Sequence, residues 1–448
     1  ILLTAGCAIG LGNIWRFPFI CGQYGGAIFV LIYLVFLLAL GFPVMVMELS
    51  LGRASRRNIF GAYKTLATDK RLKWHWPGAV FFLGNVVLMI FYTTVTGWMI
   101  AYSCKFASGA LAGLDADGIG AHFGAFLQNP VEMVGYMALT VLFGTAVCAI
   151  GLQTGVERIT KGLMACLFVL LLGLCIRALF LPGAAEGMRF YLYPNPESIK
   201  HVGILKVIVE AMNQAFFTLS LGVGSIAIFG SYVDREHTLA KETLAIVGLD
   251  TMVALLAGVI ISPACFSFGV SPGSGPGLVF ISLPNIFNSL HGGRFWGTLF
   301  FLFMSAAALT TVVAVFENII AFLIDELGFS RLKAALATGG GIAFLSLPCA
   351  LGYNLLAGFH PMGGDSTFLD LEDYVVSGNL LPLGSLFIIL FCASTRGWGW
   401  RNFLAEANTG RGLRFPGFLR IYVSVVVPVL ILLLFSAGFA KQWFGFDF

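Results

Sequence analysis

A few polar side chains lie deep within long apolar stretches of this sequence, where an unpartnered polar group is costly. They comprise two amides, a carboxyl group, a phenol and four hydroxyls: Asn13, Tyr92, Gln214, Thr218, Ser220, Asp250, Thr310 and Thr311. Oxygen is the ligand that hard cations prefer. We therefore expect this set to bind sodium next to a polar solute.

Two oxygen cages can be assembled. One would combine backbone carbonyls near Gly6 and Ile9 with the hydroxyls of Thr310 and Thr311. The other would use Asn13, Thr218, Asp250 and a carbonyl near Ala8. An alternative for the threonines is a hydrogen bond from each hydroxyl to its own helix. Asp250 has no such alternative, because a buried carboxylate requires a cation or a proton.

A zwitterionic solute fits beside these cages. Exposed N–H groups where a helix restarts, near Leu11 and Gly12, suit a carboxylate, and Tyr92 can donate a further hydrogen bond. Carbonyls around Phe217 and Ser220 would accept from an ammonium group. The rest of the solute would lie in an apolar pocket formed by Leu88, Phe217, Val223 and Val315. Tyr92 has an alternative role as a packed aromatic residue.

The surrounding chain has the composition of an integral membrane protein. It has 448 residues, of which 58% are hydrophobic and 11% charged, whereas soluble domains are roughly one-half apolar and one-quarter charged. About 20 apolar residues cross the bilayer core. We predict one all-α domain, 1–448, with eleven transmembrane helices at 1–24, 27–50, 76–104, 131–151, 158–181, 207–231, 242–268, 295–325, 333–350, 375–395 and 421–444.

The first and sixth spans contain so many central glycines that we expect each helix to be unwound there. The segments are 6–12 (GCAIGLG) and 217–224 (FTLSLGVG). Unwound backbone is tolerated at membrane depth only where it lines a cavity or binds something. For Gly6 and Gly10, an alternative is a close-packing face between helices.

The two breaks lie about 212 positions apart, from Gly12 to Gly224, each in the opening span of a block of five. Because an odd number of spans reverses orientation, this spacing predicts an inverted five-plus-five repeat with its site at the midplane. The first repeat would cover about 1–181 and the second about 207–395, with an additional span at about 421–444.

Basic residues predict the orientation. Seven Lys or Arg lie within 53–73 and five within 396–420. Such loops are cytoplasmic in most membrane proteins, which puts the N-terminus inside and the C-terminus outside the plasma (inner) membrane. We also expect a short cytoplasmic segment before Ile1.

Three motifs resemble the neurotransmitter:sodium symporter family, especially its bacterial amino-acid transporters. They are 5–18 (AGCAIGLGNIWRFP), 47–53 (MELSLGR, preceded by Gly25-Gly26) and 214–222 (QAFFTLSLG). The resemblance runs essentially end to end. It implies sodium-driven alternating access, two sodium sites, an amino-acid substrate and no organic cofactor.

The resemblance also assigns residues. Sodium site one would use Ala8, Asn13, Thr218, Asp250 and the substrate carboxylate. Sodium site two would use Gly6, Ile9, Ala307, Thr310 and Thr311. The substrate would contact Cys7, Ala8, Gly10, Leu11, Gly12, Leu88, Tyr92, Phe217, Thr218, Ser220, Val223, Thr311 and Val315.

Gates are implied on both sides of the substrate. Phe217 over Tyr92 would form a thin outer lid, and Arg16 would pair with Glu372 or Asp373 across the outer vestibule. The sequence spacing does not decide which of the two acids pairs with Arg16. Tyr232 and Asp325 match inner-gate positions, whose basic partner is expected before the first span.

Departures from the family pattern refine the expected activity. Asp250 stands where Asn is common, near Tyr33 and other positions that surround an anion in chloride-dependent members, so we expect chloride-independent transport with proton antiport. Cys7 offers no acid to a monoamine. Val223 is small where many members carry Phe, which favours a bulky or aromatic amino acid.

Other function classes find little support. Residues 269–273 (GVSPG) fit a nucleophile motif, but they follow a helix and lack the strand-turn-helix setting, so we expect no enzyme. A channel requires a continuous polar lining, whereas the polar residues here form two compact clusters. A solute sensor of the same fold is the alternative that remains open. The net charge of +4 gives no basis for nucleic-acid binding.

Nine cysteines without the spacing of metal ligands predict buried free thiols. We expect a monomer or weak dimer in the lipid bilayer.

Overall fold

The computed structural model describes residues 10–151 and 153–444, and their regular secondary structure is helical throughout. In chain order the helices are α1 (Gly12–Arg16 continuing as Phe17–Gln23), α2 (Ala27–Ser55), α3 (Ile59–Leu66), α4 (His75–Ser108), α5 (Ala116–Gln128), α6 (Pro130–Ile150), α7 (Gln153–Leu179), α8 (Ala184–Leu192), α9 (Ile204–Thr218), α10 (Ser225–Tyr232), α11 (Leu239–Phe268), α12 (Leu278–Asn288), α13 (Gly293–Leu327), α14 (Arg331–Leu351), α15 (Phe368–Ala393), α16 (Trp400–Ala407) and α17 (Gly417–Phe444).

Eight of the described helices are long and apolar enough to cross a membrane: α2, α4, α6, α11, α13, α14, α15 and α17. A ninth candidate is α7 with α8, which meet at an angle of 113°. The predicted all-α membrane fold is confirmed. The count of eleven stays a prediction, because the first predicted span begins outside the described residues and the sixth is divided between α9 and α10.

The sixth span is interrupted at residues 219–224, as the sequence predicts. Three residues there have positive φ: Ser220 (52°), Gly222 (91°) and Gly224 (83°). Gly222 is required by space as well, since a Cβ on it would lie 2.3 Å from the carbonyl oxygen of Leu381. A Cβ on Gly384 would in turn lie 2.0 Å from the Gly222 oxygen. The break therefore packs backbone to backbone against α15.

The first span is described only from Gly10, a bend, through the π-helical turn Gly12–Arg16 that opens α1. Gly6, Cys7, Ala8 and Ile9 lie outside the described residues, so most of the predicted first break does too. The sixth-span break and the described start of the first span lie in the buried centre of the molecule, where Asn13, Gln214 and Asp250 are fully buried. The buried polar groups and the non-helical backbone therefore lie in the same central region.

The prediction of buried thiols was wrong for two cysteines. Cys104 and Cys166 are exposed, whereas Cys21, Cys148, Cys175, Cys265, Cys349 and Cys392 are buried. Cys104 and Cys166 lie on α4 and α7. An apolar thiol is tolerated on the outer face of a spanning helix, because lipid rather than water surrounds it.

Candidate functional site

The Asp250 carboxylate on α11 joins the first and sixth spans. Its Oδ1 accepts a hydrogen bond from Asn13 Nδ2 at 2.8 Å, and its Oδ2 accepts one from Thr218 Oγ1 at 2.9 Å. Asn13 Nδ2 also donates to the Asp250 backbone oxygen at 2.8 Å. Within the described chain, Asp250 has no ion pair. Three of the residues predicted to hold sodium therefore meet around one fully buried carboxyl group.

The amide of Asn13 is held by its own helix start. Its Oδ1 accepts a hydrogen bond from the backbone N–H of Gly10 at 3.3 Å. This leaves the second lone pair of that oxygen available to another partner. The side chain is thus oriented at both ends, with its donor on Asp250 and its acceptor on the bend that precedes α1.

A small cavity lies next to this cluster. Its volume is about 30 Å³. The lining includes ten of the thirteen predicted substrate residues: Gly10, Leu11, Gly12, Leu88, Tyr92, Phe217, Thr218, Ser220, Val223 and Thr311. Val315 is buried but is not among the lining residues. Cys7 and Ala8 lie outside the described residues. The sequence analysis missed Val376 and Leu381, which also line the cavity.

The small Val223 side chain does not leave a large free space. A Cβ on Gly84 would lie 2.6 Å from Val223 Cγ1, so α4 packs directly against this residue. Drug-sized ligands occupy pockets of roughly 300–1,000 Å³, far more than the cavity here. A bulky solute therefore requires the lining residues to move apart.

The threonines of the second predicted sodium cage lie on α13. Thr310 Oγ1 donates to the Ala307 oxygen at 2.7 Å, and Thr311 Oγ1 donates to the same oxygen at 3.5 Å. This is the hydrogen bonding to their own helix that the sequence analysis considered as an alternative. It does not exclude cation binding, because a hydroxyl that donates its proton keeps its lone pairs.

Phe217 and Arg16, which the sequence analysis assigned to the outer lid and outer gate, lie in contact. The Arg16 guanidinium carbon lies 4.5 Å from the centre of the Phe217 ring. Arg16 Nη2 lies 2.8 Å from Asp373 Oδ2, and Arg16 Nε donates to Asp373 Oδ1 at 3.1 Å. Asp373, rather than Glu372, is therefore the acid that pairs with Arg16. The lid ring itself lies near Phe91, with 6.5 Å between ring centres.

Gln214 connects the lid to the first break. Its Oε1 accepts from Arg16 Nη1, and its Nε2 donates to the Gly12 oxygen at 3.2 Å. Ser377 donates to Asp373 Oδ1 at 2.6 Å, so the acid is fixed as well. The sequence singled out Gln214 as a buried amide but did not place it between Arg16 and Gly12.

The predicted inner gate is not assembled by side-chain contacts in the part of the chain described. Tyr232, at the end of α10, is 69% exposed, and Asp325 on α13 is exposed too. The expected basic partner precedes the first described residue. The inner-gate assignment of Tyr232 and Asp325 stays a prediction.

Two buried polar residues that the sequence analysis did not assign hold the sixth-span break. Asn85 Nδ2 donates to the Val223 oxygen at 2.8 Å, while Asn85 Oδ1 accepts from Ser225 Oγ at 2.8 Å. Glu48 Oε2 accepts from the Gly222 N–H at 2.9 Å. Both residues are fully buried within predicted spans. The criterion that selected Asp250 would have found them.

Comparison with known families agrees with this geometry. A model described as the sodium:neurotransmitter symporter family matches residues 1–114 and 122–443. The chain belongs to this family. It is a sodium-dependent, multi-pass membrane transporter of a small-molecule substrate, and its relatives are transporters, as predicted, rather than enzymes.

Two curated members illustrate the range of the sodium:neurotransmitter symporter family. The uncharacterized sodium-dependent transporter YhdH of Bacillus subtilis is 37% identical over 97% of this chain and 95% of its own length. The sodium-dependent serotonin transporter of Drosophila melanogaster is 28% identical over 73% of this chain and 58% of its own length.

A solved family structure matches the whole fold. The crystal structure of MhsT in complex with L-phenylalanine is similar with a TM-score of 0.90 and 36% sequence identity. The match covers 98% of this chain and 97% of that chain.

Proposed function

We propose that this symporter imports a hydrophobic, bulky or aromatic L-amino acid together with sodium by alternating access. The observation that carries the proposal is the buried Asp250 carboxylate, which Asn13 and Thr218 bind where two interrupted spans meet. The likeness to MhsT in complex with L-phenylalanine supports the substrate class.

Two sodium ions would travel as co-substrates. Site one would comprise Ala8, Asn13, Thr218, Asp250 and the substrate carboxylate. Site two would comprise Gly6, Ile9, Ala307, Thr310 and Thr311. At site one, sodium would balance the Asp250 charge, which has no basic partner among the described residues. At site two, the hydroxyl lone pairs of Thr310 and Thr311 would face the cation while each hydroxyl still donates its hydrogen bond to the Ala307 oxygen.

The amino acid would lie between the two broken spans. Its carboxylate would meet the start of α1 at Leu11 and Gly12 together with Tyr92, since the first turn of a helix offers unpaired N–H groups. Carbonyls of the 219–224 break would accept from its ammonium group. Val376 and Leu381 extend the apolar lining, which favours a hydrocarbon or aromatic side chain.

Transport would be independent of chloride and coupled to proton antiport. Asp250 supplies the negative charge that an added anion would otherwise provide next to sodium. When sodium leaves, the same buried carboxylate would take up a proton, because an unbalanced charge is unfavourable there. Asp250 would release this proton when sodium binds again.

The excess of basic residues on the loops at 53–73 and 396–420 supports a cytoplasmic N-terminus and an outside C-terminus. An inverted five-plus-five repeat would relate the halves containing the two breaks. The working unit would be a monomer or weak dimer, since the polar cluster and the cavity lie within one chain.

Uptake into proteoliposomes tests the proposal. The purified full chain is reconstituted, and each of the twenty amino acids is offered in labelled form with an inward sodium gradient, using an equal potassium gradient as control. We expect sodium-driven accumulation of aromatic or large aliphatic amino acids above the outside concentration. Saturable binding without accumulation would instead identify a sensor, and equilibration without uphill accumulation would identify a channel.

A further inference from the structure

An apolar groove opens between α2 and α11, on the outer face of the bundle and separate from the substrate cavity. Its volume is about 440 Å³, within the range of roughly 300–1,000 Å³ that ligand sites occupy. Leu34 and Leu38 form one wall, and Leu244, Gly248 and Leu255 form the other. Leu38 and Leu244 are 59% and 49% exposed on spanning helices, so the groove faces lipid.

The groove lining offers no free polar side chain. Thr251 is the one polar side chain among the lining residues, and its hydroxyl donates to the Val247 oxygen at 2.7 Å. A polar occupant would lose its hydrogen bonds to water without replacement. The occupant of the groove is therefore hydrocarbon.

A basic side chain lies at the start of the α11 face that lines the groove. Lys241 precedes Leu244 by three residues and Gly248 by seven, so the three share one helix face. The Lys241 side chain is exposed. It has no ion pair within the described part of the chain. One end of the apolar groove is thus marked by a positive charge.

A basic segment between α16 and α17, residues 408–416, lies against the start of α11 at this end of the groove. Thr238 Oγ1 donates to the Leu413 oxygen at 2.6 Å, which fastens the loop to the start of α11. The loop also lies against Lys241, since a Cβ on Gly412 would stand 2.8 Å from Lys241 Cδ. The segment therefore lies directly against Lys241, and Arg414 follows Gly412 by two residues along it.

The other wall of the groove leads to the same loop. Phe42 follows Leu38 by one helical turn on α2, and its ring stacks on Phe415 with 6.3 Å between centres. Phe415 is held in turn by Asn408, whose Oδ1 accepts from the Phe415 N–H at 2.6 Å. Arg414 directly precedes Phe415, so the segment that carries it contacts both α2 and α11.

Basic residues outnumber acidic ones at this end of the groove, where the acids include Glu236, whose backbone oxygen accepts from the Arg411 N–H, and the buried Glu242. Lys241, Arg411, Arg414 and Arg420 are all exposed, and none has an ion pair in residues 10–151 or 153–444. Glu406, an acid on the neighbouring α16, is already paired with Arg53 and Arg235. Basic pockets next to membrane spans bind anionic headgroups.

We propose that this groove is a binding site for an anionic diacyl phospholipid. One acyl chain lies along the α2–α11 groove, and the phosphate headgroup lies between Lys241 and Arg414. The proposal does not depend on the transported substrate, since none of these residues lines the substrate cavity or the sodium cages.

Native mass spectrometry of the purified full chain tests the headgroup contact. The protein is equilibrated with equal amounts of phosphatidylglycerol and phosphatidylcholine, and retained lipid is counted. We expect phosphatidylglycerol to be preferred, and the double variant Lys241→Gln/Arg414→Gln to reduce its retention roughly tenfold. Arg71→Gln/Lys73→Gln is the matched control, because both residues are exposed between α3 and α4 and the change removes two charges elsewhere.

Filling the groove tests the acyl-chain contact. A Cβ on Gly248 meets nothing within 4 Å, so Gly248→Leu occupies the groove without disturbing the helices. Gly173→Leu on α7 is the control, since a Cβ there also meets nothing within 4 Å. We expect only Gly248→Leu to reduce phosphatidylglycerol retention, again roughly tenfold.

Three results would overturn the proposal. One is equal retention of the two lipids by the unaltered protein. Another is retention by the double variant or by Gly248→Leu that matches its control. The third is a dimer that Gly248→Leu converts to a monomer while lipid retention stays unchanged, which would assign the groove to a second copy of the chain.

Discussion

Arg16 and Asp373 form a two-pronged ion pair between α1 and α15, with Nη2 2.8 Å from Oδ2 and Nε 3.1 Å from Oδ1. Arg16 is 1% exposed and Asp373 is 19% exposed, so the pair is largely removed from water. Breaking such a pair leaves a buried charge without its partner, which is much less favourable than losing a surface ion pair.

Asp373→Asn is accordingly expected to slow uptake by at least about tenfold. The Arg16 charge loses its counterion, and the outer gate closes poorly over the substrate. Initial rates of sodium-driven uptake in proteoliposomes measure the effect. Glu372→Gln is the comparison, and it should cost less because Glu372 does not pair with Arg16. An equal or larger loss for Glu372→Gln would contradict this gate assignment.

Replacing Asp250 by Asn is expected to make transport respond to chloride. Asn keeps a side chain of similar size but removes the fixed negative charge beside Asn13 and Thr218. We expect uptake by the unaltered protein to be the same in chloride and gluconate at constant sodium. In Asp250→Asn, uptake in gluconate should fall about tenfold, and chloride should restore part of it.

Glu317→Gln is a matched control for the Asp250 change. Glu317 pairs with Arg331 at 2.7 Å, and both side chains are partly exposed, so its loss should have a small effect. A strong rise of uptake with chloride in the unaltered protein would contradict the proposed role of Asp250.

Thr310→Ala is expected to weaken the sodium dependence specifically. The hydroxyl is removed from the second cage, and the sodium concentration for half-maximal uptake should rise about tenfold. Thr298→Ala is the control on the same helix, because Thr298 makes a similar hydrogen bond to the Arg294 oxygen at 2.7 Å but is only half-buried and lies three turns from the proposed site. Similar sodium curves for the two variants would remove Thr310 from the sodium site.

Gly222→Ala is expected to destabilise the folded protein. The residue has a φ of 91°, and a Cβ would collide with the Leu381 oxygen at 2.3 Å. Backbone strain of this kind costs about 1–3 kcal/mol, so the thermal midpoint in detergent should fall. Gly340→Ala should instead leave the midpoint unchanged or raise it. A Cβ on Gly340 meets nothing within 4 Å, and Ala is more favourable than Gly inside an ordinary helix. A higher midpoint for Gly222→Ala would contradict the close packing described.

Helices and polar clusters were predictable from the sequence for different reasons. Long apolar stretches specify spans directly, because their length must match the bilayer core. The glycines around Ser220 located the sixth-span break, and buried polar residues such as Asn13 and Asp250 identified their common site. These signals are local properties of residue type.

The remaining features depend on the tertiary contacts. Glu372 and Asp373 are adjacent acids, and only the direction in which α15 presents them selects Asp373 for Arg16. Val376 and Leu381 are ordinary apolar residues of a span, so nothing in their type indicates that they line the cavity. The free space beside Val223 cannot be predicted from side-chain size alone, because it depends on how closely Gly84 approaches.

Phe217 lies between the start of α1 and the Arg16 guanidinium: a Cβ on Gly12 would stand 3.3 Å from its ring, and the cation lies 4.5 Å from the ring centre on another side. If Phe217 and the Arg16–Asp373 pair act as the proposed outer gate, a solute tall enough to tilt the ring would also disturb the ion pair. Under that proposal, an oversized amino acid would bind without being sealed in and would block its own carrier.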